Sequence, residues 1–366
     1  MCCIRHSDVR RAKTTQSFAV RRDQAIYSLA LTAVLVGTVL ATDLLARSRD
    51  LERWLTAASS ALHEKNGTLF SYTGNFIDAE ERVMLDEIPR ADYSRGGVYF
   101  FGASNMKWAF QTWDLPAAER RLIGNYGIGA TNHTNQLRLI RYLIEQRGFL
   151  AAGDRNLVFI GVSFHEGAVS EPWNRYFEGM LRRHGVYALA PDGRITPAPL
   201  TAVERWLRIE QARCGGFVWN LARLVNNWVN TGLSWARRPS HDWANERSPM
   251  YAQAWREILG PRWQQNMDEE VARLRETIDL ARSRHATVKL ILLPQGTWMD
   301  ELPFKAAYEA KIRALCQTTS TPLIDLSRTI ADADFVDSNH LTVEGQKKFE
   351  ALIMRDVLEH LRRIGG

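Results

Sequence analysis

Three features of the 366-residue chain predict an α/β fold, a three-layer α/β/α sandwich with about five parallel strands. From Val98 onward, short apolar runs alternate with amphipathic stretches of helical period, the pattern of a parallel sheet covered on both faces. The runs 98–101 and 157–161 are continuously apolar, as strands buried on both sides are. A final helix carries Phe349, Ile353, Val357 and Leu361 at four-residue spacing, a face suited to docking on the sheet.

The elements follow in order. Residues 98–101 form the first strand and 122–126 a short second one, followed by a small-residue turn from Gly127 to Ala130. The next helix places Leu137, Ile140, Leu143 and Ile144 on one face and Arg138, Arg141 and Glu145 on another. Residues 157–161 are the third strand. The alternation then stops. Between Ser170 and Trp263 there is no convincing strand, yet eight of the twelve tryptophans lie there, and Phe217, Leu221, Leu224, Val225 and Trp228 mark an amphipathic helix. This predicts a largely helical, tryptophan-rich insertion at about 170–263. Large aromatics at helical spacing are usually core; the sharper alternative is that some line a groove for sugar rings or acyl chains, or a surface lying on a bilayer. After it come a helix from Met267 to about Arg284, a strand at 288–293 ending at Pro294, a helix at 303–315 and a strand at 323–326. Thr342 is a good N-cap for the last helix, and Glu344 suits its first turn.

Ahead of this domain the chain changes character. Residues 1–24 are a basic tail. From Gln24 to Thr42 there are nineteen uncharged residues, enough to cross about 30 Å of hydrocarbon as a helix. We read 25–46 as a transmembrane anchor with the basic tail in the cytoplasm and the rest outside. A cleaved signal peptide is the alternative, and either reading exports the domain. Residues 47–94 read as a stem, and 95–366 as the main domain.

Composition is that of a globular protein, 45% hydrophobic and 24% charged. The net charge of +6 and pI near 9.2 select no partner on their own. With no zinc-finger spacing, Walker loop or G-x-G-x-x-G motif, nucleic-acid binding is not expected. Of four cysteines, Cys214 and Cys316 could form a disulfide or stay as free thiols.

Two short stretches carry chemistry. Strand 98–101 runs through Gly102-Ala103 into Ser104, where a helix can begin and turn its free N–H groups toward anything bound beside the hydroxyl. Near the other end, Asp337 and His340 stand three residues apart just before the last helix. An aspartate at Nδ1 fixes the tautomer that leaves Nε2 to take a serine's proton. Each alone has a plain reading, a helix-capping serine or a surface Asp and His. Their joint occurrence at the carboxyl edge of one parallel sheet favours a Ser104/His340/Asp337 hydrolytic site. An α/β-hydrolase elbow would need glycine at 106, where Met106 stands. His133, His165, Glu166 and the His241-Asp242 pair have no metal-ligand spacing.

These blocks resemble the SGNH (GDSL-type) hydrolase superfamily over roughly residues 97–167 and 266–362. Gly102-Ala103-Ser104 resembles its nucleophile block, and Asp337-Ser338-Asn339-His340 its Asp-x-x-His block. Asn125 to Thr131 resembles the second block, which implies that Gly129 lends its amide to the oxyanion hole, with Gly127 or Ala130 as alternatives. In the third block Ser163 stands where the family has asparagine, so the oxyanion donors implied are Ser104, Gly129 and Ser163. The resemblance implies a flavodoxin-like SGNH fold and a serine esterase with no metal or organic cofactor. The anchor, the missing asparagine and the insertion resemble membrane-tethered acyl-transfer members, of the D-alanyl-lipoteichoic-acid biosynthesis protein and alginate O-acetyltransferase types. That implies O-acyl transfer or ester hydrolysis on an exported polysaccharide, beside a multi-pass membrane O-acyltransferase and outside the plasma membrane. The alternatives are a simple esterase or lipase, or a non-catalytic scaffold for the membrane acyltransferase.

Overall fold

In the computed structural model, residues 83–110, 115–212, 255–335 and 338–365 are described, with 26–38, 40, 41, 44, 45, 48 and 51. Strand β1 (Gly97–Phe101) leads into a short helix α1 (Ser104–Ala109), then α2 (Ala117–Arg120) and β2 (Ile123–Asn125). Helix α3 (His133–Arg147) ends on Gly148 in the left-handed region and returns the chain to β3 (Asn156–Val162). The short α4 (Phe164–Ala168) and then α5 (Glu171–His184) follow. Beyond the insertion come α6 (Trp263–Arg282), strand Thr287–Leu292, α7 (Pro303–Thr319), strand Leu323–Asp325 and α8 (Val343–Gly365).

Numbered in chain order, with a hairpin β4 (Tyr187–Leu189) and β5 (Ile195–Pro197) counted, those last two strands are β6 and β7. The main sheet runs β2-β1-β3-β6-β7 with every neighbouring pair parallel, the five strands expected. Side chains alternate between its faces with period two. Val98, Phe100, Leu157, Phe159 and Ile291 face the layer of α1 and α8, joined there by Met106, Phe349, Ile353, Val357 and Leu361. Tyr99, Phe101, Val158, Ile160, Leu290 and Leu292 face α3, α6 and α7. Phe100 stacks on Phe159 across the β1–β3 pair at 4.9 Å between centroids. Each such fully buried side chain contributes about 1.5–3 kcal/mol.

Three expectations need correction or limits. Residues 83–94, assigned to the stem, belong to the folded unit: Val83, Ile88 and Tyr93 are buried in its core, and Tyr187 donates to the Met84 carbonyl at 3.1 Å. The polar run after Pro89 hides this, because the apolar residues before it are few. The hairpin corrects the absence of strands within 170–263. Its turn, Ala190-Pro191-Asp192-Gly193, is a legible turn signal, with Gly193 at φ +78° and its amide bonded to the Ala190 carbonyl at 2.8 Å. The predicted helix around Phe217–Trp228 and Cys214 lie outside the described residues. Cys316 is a buried free thiol.

Of the anchor stretch, 26–38 is helical, with Leu29, Leu31, Val34 and Leu35 exposed. Among the described residues no helix is long and apolar enough to cross a membrane.

A buried carboxylate ties the helical layer together. Glu270 on α6 is 1% exposed and accepts the Thr134 amide at 2.8 Å, the Thr134 hydroxyl at 3.0 Å and the Ser170 hydroxyl at 3.2 Å. Burial pushes its carboxyl up to about 7, against the pull of those donors. A carboxyl raised in the folded state favours folding while protonated, and that contribution is lost as pH rises from about 4.5 to about 7. Denaturant unfolding of wild type and Glu270→Gln should therefore diverge with pH. The difference should move toward the variant by at most about 1.4 kcal/mol per pH unit between pH 5 and 7, then level off. A pH-independent difference would rule this out.

Candidate active site

Two loops at the carboxyl edge meet at the residues singled out above. The first follows β1. Gly102 admits the turn because a Cβ there would stand 2.5 Å from that of Met106. Ser104 then opens α1, a six-residue helix too short to hold itself. Asn125 at the end of β2 fastens its far end: Nδ2 donates to the carbonyls of Phe110 at 2.9 Å and Lys107 at 3.2 Å. The Lys107 ammonium returns a bond to the Asn125 carbonyl at 2.8 Å.

The second loop follows β7 and carries His340. The Gly296 amide donates to the Ser338 carbonyl at 3.1 Å, and Phe335 bridges Leu341. The Thr342 amide donates to the Asp334 carbonyl at 2.8 Å, while Lys348 pairs with the Asp334 carboxylate at the same distance. The Thr342 hydroxyl accepts the Gly345 amide at 3.1 Å, the cap its sequence position suggests. Gly345 leaves no room for a Cβ against the Asp334 carbonyl.

Held this way, His340 Nε2 lies 2.8 Å from Ser104 Oγ, across 236 residues of sequence. Both side chains are half-buried. This is the distance at which an imidazole can take a serine's proton. Asp337 lies outside the described residues.

The other expected residues lie on segments bonded to the nucleophile turn. The loop bearing Gly129 runs along the nucleophile turn: Tyr126 donates to the Phe100 carbonyl at 2.7 Å and Ile128 to the Gly102 carbonyl at 3.0 Å. Gly129 is buried on it. The alternative Gly127 has its amide on Asn125 Oδ1 at 3.2 Å, and its Cα faces the Lys107 backbone.

Ser163 is placed differently from what a hydroxyl donor to an oxyanion needs. It follows β3, is 1% exposed, donates to Glu166 and accepts Asn105 Nδ2 at 3.1 Å. A serine has one hydroxyl hydrogen, and both acceptors in its reach, Glu166 and His165 Nδ1 at 3.3 Å, lie inside the fold.

Glu166 and Asn105 were not singled out for the site. Glu166 is fully buried; its carboxylate accepts the Ser163 amide at 2.8 Å and the Ala103 amide at 3.3 Å besides the hydroxyl. Burial pushes it up to about 7, against these bonds. The readable signal was Ser163-x-x-Glu166, a capping box, which the structure forms.

Around them, His165 Nδ1 lies 3.1 Å from Gln295 Nε2, which must donate to it. Trp255 packs edge-on against the His165 ring, and Trp173 Nε1 donates to the His165 carbonyl at 2.9 Å. Trp263 lines an open apolar cavity with Phe304 and Leu259, and Trp206 is exposed. His133 is buried between Gln136 and Tyr308.

No protein-family model matches the chain, and no curated protein does. Among solved structures it is similar to a "putative acylhydrolase" from Bacteroides fragilis NCTC 9343, at 16% identity over 76% of this chain and 94% of that one, TM-score 0.39. It is also similar to a GDSL-like lipase from Bacteroides thetaiotaomicron VPI-5482, at 11% identity over 77% and 98%, TM-score 0.39. The chemistry of the site rests on this chain's own residues.

The close approach of the loop after β2 to the nucleophile turn can be tested at Gly127. A Cβ there would sit 2.8 Å from the Lys107 amide nitrogen, so Gly127→Ala must push the loop after β2 off α1. We expect a loss of about 1–3 kcal/mol in denaturant unfolding, in the range of overpacked sites. An unchanged midpoint would mean the loops are not held as described.

Proposed function

We propose that the chain is a serine esterase or acyltransferase of the SGNH (GDSL-type) hydrolase superfamily, with Ser104 as nucleophile and His340 as general base and acid. The observation that carries this reading is the 2.8 Å approach of Ser104 Oγ to His340 Nε2. The paired sequence blocks support it independently.

The chemistry then runs in two halves. Ser104 Oγ attacks the ester carbonyl carbon while its proton passes to His340 Nε2. The tetrahedral oxyanion is received by the amides of Ser104 and Gly129. Its collapse breaks the bond to the leaving alkoxide, which takes the proton back from His340 and leaves an acyl-Ser104. A second hydroxyl, from water or a sugar, loses its proton to His340, attacks the acyl carbon and restores Ser104. Water gives hydrolysis and a sugar hydroxyl gives transfer, with the same residues. Asp337 is assigned to Nδ1 of His340, as orienter.

The setting proposed is extracytoplasmic, with 25–46 as anchor and an O-acylated polysaccharide as substrate or acceptor. The basic tail, the apolar stretch behind it and the architectural resemblance support this setting. A multi-pass membrane O-acyltransferase would supply the acyl group.

The full chain should react covalently with a fluorophosphonate probe and hydrolyse p-nitrophenyl acetate. Ser104→Ala should abolish both, and Asp337→Asn should lower turnover by on the order of 10²–10⁴-fold. Labelling that persists in Ser104→Ala would overturn the assignment. If cells keep polymer acylation with Ser104→Ala but lose it on deletion of the protein, the chain acts as a scaffold.

Topology has its own test. In intact cells a cysteine placed at Asn66 should react with an impermeant maleimide, and one placed at Arg5 should not; the reverse pattern would remove the polymer substrate.

A further inference from the structure

Glu166 reaches both neighbours of the nucleophile. On one side its carboxylate accepts the Ala103 amide at 3.3 Å. On the other it holds the Ser163 hydroxyl, which in turn accepts Asn105 Nδ2 at 3.1 Å. The Asn105 carboxamide cannot be turned over, because its Oδ1 accepts the Met106 amide at 2.9 Å. With Asn105 donating to it, the Ser163 hydroxyl is left to face its own acceptors, the Glu166 carboxylate and, at 3.3 Å, His165 Nδ1.

The carboxylate has no competing partner among these contacts: three hydrogens point at it, from the Ala103 amide, the Ser163 amide and the Ser163 hydroxyl. All four residues are nearly or fully buried, at 6% exposure or less, while Ser104 between them is half-buried.

We propose that Glu166 is a positioning residue for the nucleophile: through Ala103 directly and through Ser163 and Asn105 indirectly, it fixes the turn that aims Ser104 Oγ at His340. This deepens the esterase reading and rests on it. Ser163 is the middle of the relay, and its hydroxyl is kept for that role. Glutamine at 166 keeps the volume but presents an NH₂ where only acceptors fit, so one of the three donors loses its partner and the turn relaxes. A displacement of the reacting group by about 1 Å is enough to cost on the order of 10²-fold in rate.

The test uses the full chain and steady-state hydrolysis of p-nitrophenyl acetate, with thermal unfolding of each variant. Glu166→Gln should lower kcat by about 10²–10³-fold and leave KM within about threefold, because substrate contacts are untouched. Ser163→Ala should lose about 10–10²-fold in kcat, and the double variant should be no worse than Glu166→Gln alone, since the residues act as one unit. Glu270→Gln is the control for a buried, triply bonded glutamate away from the turn; it should shift unfolding and keep kcat within about twofold.

A folded Glu166→Gln with wild-type kcat overturns the proposal, as does an equal kcat loss in Glu270→Gln. Should Glu166→Gln not fold, Ser163→Ala decides: unchanged kcat overturns the relay, and a kcat loss at retained unfolding temperature supports it. Absence of any Ser104-dependent turnover in the wild type sinks the esterase reading and this inference together. Turnover in the wild type that is insensitive at 166 and 163 sinks this inference alone.

Discussion

Every strand of the main sheet points the same way, and the site depends on that constraint. Parallel pairing puts the carboxyl ends of β1, β3, β6 and β7 on one edge, so the loops leaving them are neighbours however far apart they lie in sequence. β1 hands its chain toward β2 on one side, and β3 hands its chain toward β6 on the other. Ser104 leaves β1 at that divergence, and His340 meets it from the loop after β7. Ser163 belongs to the same edge at the end of β3, and Gly296 follows β6 to brace the histidine loop.

An edge alone would leave two mobile loops. Here backbone groups hold the loops: Ile128 bonds Gly102 and Gly296 bonds Ser338 from one loop to another, and Thr342 bonds Asp334 within the histidine loop. Glycine appears where such approach is closest, at Gly102 against Met106 and Gly127 against Lys107. The six residues of α1 keep their conformation through Asn125, which takes up carbonyls that a helix so short cannot pair internally.

What was legible in the sequence follows from this. Continuous apolar runs announced β1 and β3, because a strand covered on both faces is apolar throughout. The face of α8 was readable from Phe349, Ile353, Val357 and Leu361, all buried. Ser104 and His340 were readable because the chemistry demands their residue types. Residues 83–94 were not, since a few apolar residues beside a proline look alike in a linker and at a domain's edge. The β4–β5 hairpin escaped because three-residue strands carry almost no periodicity, and only its Pro191-Asp192-Gly193 turn spoke for it. Glu166 was visible as a capping box, but sequence gives no hint that the same carboxylate also reaches Ala103, 63 residues upstream.

Burial at Glu166 bears on why such a group stands in the middle of the site. A carboxylate removed from water costs several kcal/mol, and hydrogen bonds offset only part of that. Its raised pKa, about 7, is the residue of that imbalance: the donors do not fully replace the lost hydration. An apolar side chain there would avoid that cost but would leave two backbone amides from different strand ends and a hydroxyl without an acceptor, at about 1–3 kcal/mol each. Those three bonds are directional, and packing is not, so the carboxylate fixes the orientation of the turn where an apolar contact would fix only its distance. The stability given up at this position is thus set against the geometry of Ser104 and His340, two half-buried side chains that must stay within one hydrogen bond of each other.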